Sequence, residues 1–216
     1  MFNLLSHAKL NLSLEVNSLL DNGFHNLTSI MHTLHLHDEI SISHSKNTKT
    51  VFIPSTVEGS NNSILDAVHL FQQEFHIPDQ VEIVTTKNIP TSSGLGGGSS
   101  NSTAVLKELI KINKLEVELS KQRELAFQLS SDSPFFVSGG CSLVEGQGEK
   151  ITTGLGINNL WSIIFTPLNI EISNKTRFMY SLLSKQHYSD GSITAEIFNS
   201  INQPNSDLLQ LLSNTV

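Results

Sequence analysis

The seven residues Gly94-Leu95-Gly96-Gly97-Gly98-Ser99-Ser100 stand between two stretches of different periodicity. Before them, Val81–Thr86 has the composition of a strand; after them, Ala104, Val105, Leu106, Leu109 and Ile112 make the apolar stripe of a helix. Flexible Gly/Ser tethers do not usually run from a strand straight into an amphipathic helix, so the glycines read as a helix entrance. Backbone amides at such an entrance face outward at the positive end of the helix dipole, and the missing side chains let an anion come close. Familiar phosphate motifs do not account for the run. A P-loop needs Lys and then Ser or Thr after its last glycine, where this chain has Ser99, and G-x-G-x-x-G needs glycine at that same position.

The opening of the chain is β-rich. Leu10, Leu12, Leu14 and Val16 alternate with Lys9, Asn11, Ser13 and Glu15, which predicts a half-buried strand with its polar face to solvent. Asp21-Asn22-Gly23 reads as a turn, and Ser29–Ser43 as one or two further strands. Ile64, Leu65, Val68, Phe71 and Phe75 recur at helical spacing, and Ser120–Leu129 gives another short helix. After Ser131-Asp132-Ser133-Pro134, strands are expected at Phe135–Val137, Cys141–Val144 and Trp161–Phe165. Beyond Pro167 the pattern turns helical at Leu182–Leu183, Ile193–Ile201 and Leu208–Leu212. A boundary near residue 150 divides the chain into an expected first lobe, 1–150, and a second, 151–216.

Composition excludes several function classes. The 216 residues hold 13 Lys and Arg against 20 Asp and Glu, a net charge of −7, and the basic residues are scattered. A broad nucleic-acid face is therefore not expected, and any anion must be held by local geometry. A lone cysteine, Cys141, forms no internal disulfide. No apolar stretch reaches the roughly 18 residues of a membrane span, and Met1–Ser6 lacks the features of a signal peptide. A soluble, cytoplasmic protein without membrane partners is expected. His35 and His37 would share a strand face but have no further ligand cluster, so no protein-held metal is predicted.

Lys9 beside Asn11, and Asp132 in a Ser-Asp-Ser-Pro turn, are each ordinary surface residues when taken alone. Together with the glycine run they supply what phosphoryl transfer to an alcohol requires: a phosphate cradle, a cation and a carboxylate to take the hydroxyl proton.

Three segments in order carry a resemblance: AKLNLSL at Ala8–Leu14, IPTSSGLGGGSSNS at Ile89–Ser102 and SDSPFFVSGG at Ser131–Gly140. They resemble the marks of the GHMP small-molecule kinases. The element DNGFHNL at Asp21–Leu27 is similar to the DGYH or DGFH turn of the branch that acts on a cytidine-diphosphate-linked methylerythritol. The resemblance implies a two-lobed α+β GHMP kinase fold, with a ribosomal protein S5 domain 2-like N-terminal lobe that binds ATP. It also implies ATP-dependent phosphorylation of the 2-hydroxyl of that substrate, in non-mevalonate isoprenoid precursor synthesis.

By the same resemblance Asp132 is the base, and Lys9 is the partner that favours the developing alkoxide and keeps Asp132 ionised. Gly94, Leu95, Gly96, Gly97, Gly98, Ser99 and Ser100, with Pro90, would hold the phosphates; Asn62 and Lys87 would meet the adenosine end. Asn11, Phe24 and His25 would bind the substrate, with His25 reading the cytosine and Phe178 closing over it as a second ring. Mg2+ would arrive with ATP, helped by Ser100 or Asp132, and the molecule would be a monomer or weak homodimer. The chain departs from the family pattern at His7, where Pro commonly stands, and in reaching Val216 without a late Gly-rich segment. Asn205-Ser206-Asp207-Leu208 is its last family-like element, so an incomplete C-terminal lobe is expected. The alternatives are a GHMP kinase for another small alcohol and a non-catalytic nucleotide-binding protein.

Overall fold

A computed structural model describes residues 1–54, 63–78, 80–157, 161–165 and 175–203. Asn62, Leu208–Leu212 and the Asn205–Leu208 element lie outside the described residues. The chain is α+β and divides into two compact units, neither of them continuous in sequence. The first comprises Met1–Leu10 and Thr33–Gly139, the second Asn11–His32 and Gly140–Val216. A single cut into 1–150 and 151–216 does not describe this division, because residues 11–32 group with the later part of the chain. Two long strands contribute to both units: β1 (Phe2–Leu19) and β2 (His25–His44), the latter one strand where one or two were expected. The Asp21-Asn22-Gly23 turn joins them, with Gly23 at φ 81°.

In the first unit β2 continues into β3 (Lys49–Ile53), α1 (Ser63–Phe75) and β4 (Val81–Thr86). β4 lies between its neighbours, antiparallel to β2 from Glu39↔Thr86 to His44↔Val81 and parallel to β3 from Lys49↔Glu82 to Ile53↔Thr86. Three helices follow: α2 (Gly97–Ile112), α3 (Leu119–Leu129) and α4 (Ser133–Ser138). The period-2 pattern sends Ile40, Ile42, Val81 and Ile83 inward, and the helical stripes of α1 and α2 meet them with Ile64, Val68, Phe71, Val105, Leu106 and Leu109. At roughly 25 cal/mol per Å² of apolar surface removed from water, this cluster is the main stabilising term of the unit.

The stretch Phe135–Val137, expected as a strand, lies in α4. Three apolar residues in a row fit either period; Pro134 in the first turn and Gly139 at φ 64° just past the end decide for a helix.

In the second unit β2 pairs antiparallel with β5 (Cys141–Gly146), from Leu27↔Gly146 to His32↔Cys141, and β5 turns back into β6 (Lys150–Thr153). Later come α5 (Lys175–Ser181), a 3-10 turn at Lys185–His187 and α6 (Ser192–Ile201). α6 lays Ile197, Phe198 and Ile201 on Ile30 and Cys141, with Leu12, Leu143 and Ile157 beside them. Its N-terminal end is tied to β1, where Glu15 Oε2 accepts from the Thr194 amide at 2.6 Å and Ser13 Oγ meets Thr194 Oγ1 at 2.7 Å. Residues 161–165, expected as a strand, are irregular here and mostly exposed, Trp161 at 94%. Leu182–Leu183 follow the end of α5 and are not helical.

Burial pushes the Cys141 thiol up to about 11. A thiol reacts as its thiolate, so this one is expected to resist alkylation at pH 8 in the folded chain and to react fully once unfolded. A thiol count with and without denaturant checks this; equal rates would contradict the packing of α6 on β5.

Candidate active site

Every expected element of the phosphate cradle and proton acceptor that the structure describes belongs to the first unit. β1 brings Lys9 against the glycine run, its amide donating to the Leu95 carbonyl at 2.9 Å. Gly96 then turns the chain at φ 72° to cap α2 with no side chain. A Cβ at Gly96 would lie 2.8 Å from Phe136 Cζ and 3.1 Å from Lys9 Cγ, so only glycine fits both the dihedral and the space. Lys9 was expected on a solvated strand face. It is instead 5% exposed, its aliphatic stem beside the glycine turn, and its Nζ lies 3.3 Å from Asp132 Oδ2.

Asp132 reaches that position because α4 starts immediately after it. It occupies the cap position with αR backbone, and its carboxylate makes no capping bond. The turn is fixed by serines: Ser130 Oγ donates to Ser99 Oγ at 2.7 Å and lies 2.7 Å from Ser133 Oγ, and the Ser133 amide donates to the Ser130 carbonyl at 3.2 Å. Lys107 on α2 donates to the Val137 carbonyl at 2.6 Å and ties α4 down from the other side; burial pushes its pKa down.

The glycine-run residues divide by role. Gly94 (φ 82°) has open space where its side chain would be. The Gly97, Gly98 and Ser99 amides belong to the first turn of a helix whose cap has no side-chain acceptor, which makes this end receptive to an anion. Ser99 Oγ accepts from Ser130, leaving its own hydroxyl hydrogen able to donate outward. Ser100 and Leu95 differ from expectation. Ser100 is buried, and its hydroxyl donates to the His7 carbonyl and accepts from Ser6 Oγ, each at 2.7 Å, so its hydroxyl hydrogen is already engaged within the protein. The Leu95 side chain is buried with Ala8 and Ile89; only its backbone faces the turn. Pro90 is half-buried directly after Ile89.

Lys87 sits beside the same turn, its Nζ 3.3 Å from where a Gly97 Cβ would be. Its ammonium is paired with Asp38, a fully buried carboxylate at the core end of β2 that sequence reading missed. Asp38 Oδ1 also accepts from the Asn88 and Ile89 amides at 2.7 and 2.8 Å, and Oδ2 from Asn101 Nδ2 at 2.9 Å. An ionised carboxylate offers about four lone-pair sites, and all four are used.

In the second unit His25 lies against two tyrosines, its ring centre 5.1 Å from Tyr180 and 6.0 Å from Tyr188, with Tyr188 Oη 3.5 Å from Nε2. Phe24 and Phe178, the rings expected to hold the cytosine, are about half exposed, and Tyr180, one of the two rings beside His25, stands two residues past Phe178 on α5. Asn11 is half-buried on β1. Among the described residues no helix is long and apolar enough to cross a membrane, and no cluster of three or more His, Cys, Asp or Glu could hold a metal.

Residues 62–140 match the family model described as the GHMP kinases N terminal domain. The chain is 35% identical to a 4-diphosphocytidyl-2-C-methyl-D-erythritol kinase of Pseudothermotoga lettingae, covering 85% of this chain and 66% of the relative. It is also 35% identical to one from Dehalococcoides mccartyi, covering 94% and 72%. The chain thus spans about two thirds of the first relative's length. A crystal structure of 4-(cytidine 5'-diphospho)-2C-methyl-D-erythritol kinase superposes with a TM-score of 0.68 at 24% identity, covering 94% of this chain and 73% of that one. The Streptococcus pneumoniae phosphomevalonate kinase gives the same TM-score at 10% identity, covering 99% and 77%, which shows the fold alone. An uncapped glycine helix entrance facing a Lys–Asp pair, carried on this fold and on a sequence of this identity, places the chain in the 4-diphosphocytidyl-2-C-methyl-D-erythritol kinase family of the GHMP kinases.

Proposed function

We propose that the chain transfers the γ-phosphoryl group of ATP to the 2-hydroxyl of 4-diphosphocytidyl-2-C-methyl-D-erythritol, as a cytoplasmic small-molecule kinase. The observation that carries this reading is the Lys9–Asp132 pair at 3.3 Å beside a helix entrance that no side chain caps. Asp132 takes the hydroxyl proton as the alcohol oxygen bonds to the γ-phosphorus and the bond to the ADP oxygen breaks. Lys9 faces the negative charge that develops on the attacking oxygen. The Gly97, Gly98 and Ser99 amides and the Ser99 hydroxyl hold phosphate oxygens, with the Lys87 ammonium adding positive charge at Gly97. Mg2+ arriving with the nucleotide would neutralise phosphate charge, and the Asp132 carboxylate is the oxygen ligand this chain could add to it.

Incubation with ATP and the cytidyl substrate, against mevalonate, homoserine and galactose, tests the reading. Phosphorylated product from the cytidyl substrate alone supports it. Product from another alcohol would reassign the substrate, and binding of ATP and the cytidyl compound without turnover would favour a nucleotide-binding role.

His25 is proposed to read the cytosine edge, its ring held by Tyr180 and Tyr188. His25→Ala is expected to raise KM for the cytidyl substrate by about tenfold or more, the cost of one lost hydrogen bond in a specific site, with KM for ATP unchanged. An unchanged substrate KM would remove His25 from that role.

A further inference from the structure

His7, the residue that stands where the family commonly has Pro, lies on β1 with its ring 5.2 Å from that of His37 on β2, the planes tilted by 58°. His7 Nδ1 is 2.9 Å from the Leu34 carbonyl and His37 Nδ1 is 2.7 Å from the His35 carbonyl. A carbonyl oxygen only accepts, so each Nδ1 carries the hydrogen, and in the neutral imidazole the lone pair is on Nε2. This is the outer support that orients an imidazole for metal binding through its other nitrogen. Two imidazoles on one tetrahedral ion, with nitrogen–metal bonds of about 2.0–2.1 Å, set their ring centres roughly 5 Å apart. The observed separation of 5.2 Å equals that distance. Both histidines are half-buried, which leaves room for water to complete the coordination.

We propose that His7 and His37 form a two-imidazole site for a late first-row divalent ion, Cu2+, Ni2+ or Zn2+, linking β1 to β2 in the first unit. Imidazole donors suit these ions, with Cu2+ bound most tightly, and do not suit Mg2+, which takes oxygen ligands. The site is therefore separate in chemistry from the metal that accompanies ATP. It is independent of the kinase reading, because neither side chain is assigned to nucleotide or substrate.

The test is Cu2+ titration of the full chain, followed by electron paramagnetic resonance at one ion per chain. The expected spectrum shows coupling to two imidazole nitrogens, and Ni2+ or Zn2+ is expected to raise the thermal midpoint, since an ion that binds the folded state alone stabilises it. His7→Ala and His37→Ala should each lower Cu2+ affinity by at least about tenfold, the loss already seen when only an outer support is removed, and His35→Ala should not. Coupling to no nitrogen or to one would overturn the proposal, as would wild-type affinity in both variants or an equal loss in His35→Ala. A wild-type spectrum with fewer than two coupled nitrogens overturns the proposal even if a variant fails to fold.

Discussion

Asp132→Asn is expected to lower kcat by about 10²–10⁴-fold, the usual contribution of a positioned general base, while ATP affinity stays near that of the unaltered chain. Asn keeps the shape of the carboxyl group and one acceptor oxygen but cannot take a proton at neutral pH. The turn should survive the change, because it is held by Ser130, Ser133 and Pro134 and the Asp132 side chain makes no cap. The phosphate cradle is likewise untouched: Gly96, Gly97 and Ser99 are positioned by Phe136, Ile89 and Ser130. The loss should therefore fall on kcat and leave ATP binding intact. Lys9 would be a poorer probe, since its stem packs against Gly96 and truncating it would disturb cradle and ion pair together. Initial rates by ADP release, with ATP affinity measured by calorimetry, separate the two quantities. A kcat within a few-fold of the unaltered chain would remove Asp132 as the base.

The parts of this site that were legible in the sequence are those whose signal is local. Glycine at Gly96 is demanded by its dihedral angle and by the close approach of Phe136 and Lys9, and these leave their mark at that position. The alternation in β4 and the stripe of α1 likewise follow from short-range periodicity. What was missed depends on pairing across long separations. Asp38 gave no local sign of its role, because its partners come from 49 to 63 positions later. Ser100 reads as a phosphate donor within its motif, and only the folding of β1 beside α2 shows its hydroxyl engaged with Ser6 and His7. Tyr180 gave no sign of its place beside His25, because the rotation of one short helix decides which of its side chains meets that ring. Phe135–Val137 is the opposite case: a three-residue apolar run fits a strand as well as a helix, and the local helix signals are its neighbours Pro134 and Gly139.

The largest expected effect on stability comes from Asp38. Asp38→Asn is expected to destabilise the first unit by about 3–5 kcal/mol, the cost of removing one partner from a buried ion pair. The new amide keeps one oxygen, which can still accept from the Asn88 and Ile89 amides as Oδ1 does now. On the other side an NH2 group would face the Lys87 ammonium and the Asn101 NH2, three sets of donors without an acceptor. The penalty is mainly an uncompensated charge, so removing that charge should relieve it. In Asp38→Asn with Lys87→Met the ammonium is gone, and the Asn101 side chain can turn to present Oδ1, a buried oxygen that has no hydrogen-bond partner in the parent structure. The double variant should therefore be more stable than Asp38→Asn alone by at least about 1 kcal/mol, within the coupling range of residues in one network. Urea denaturation of the parent, both single variants and the double variant closes the cycle. Equal stability of the double variant and Asp38→Asn would mean that Asp38 acts through the Asn88 and Ile89 amides and that Lys87 is held at Gly97 by something else. If the pair does carry the energy, Lys87→Met alone should also raise KM for ATP, because the charge beside the glycine turn is lost while the Asp38 carboxylate remains.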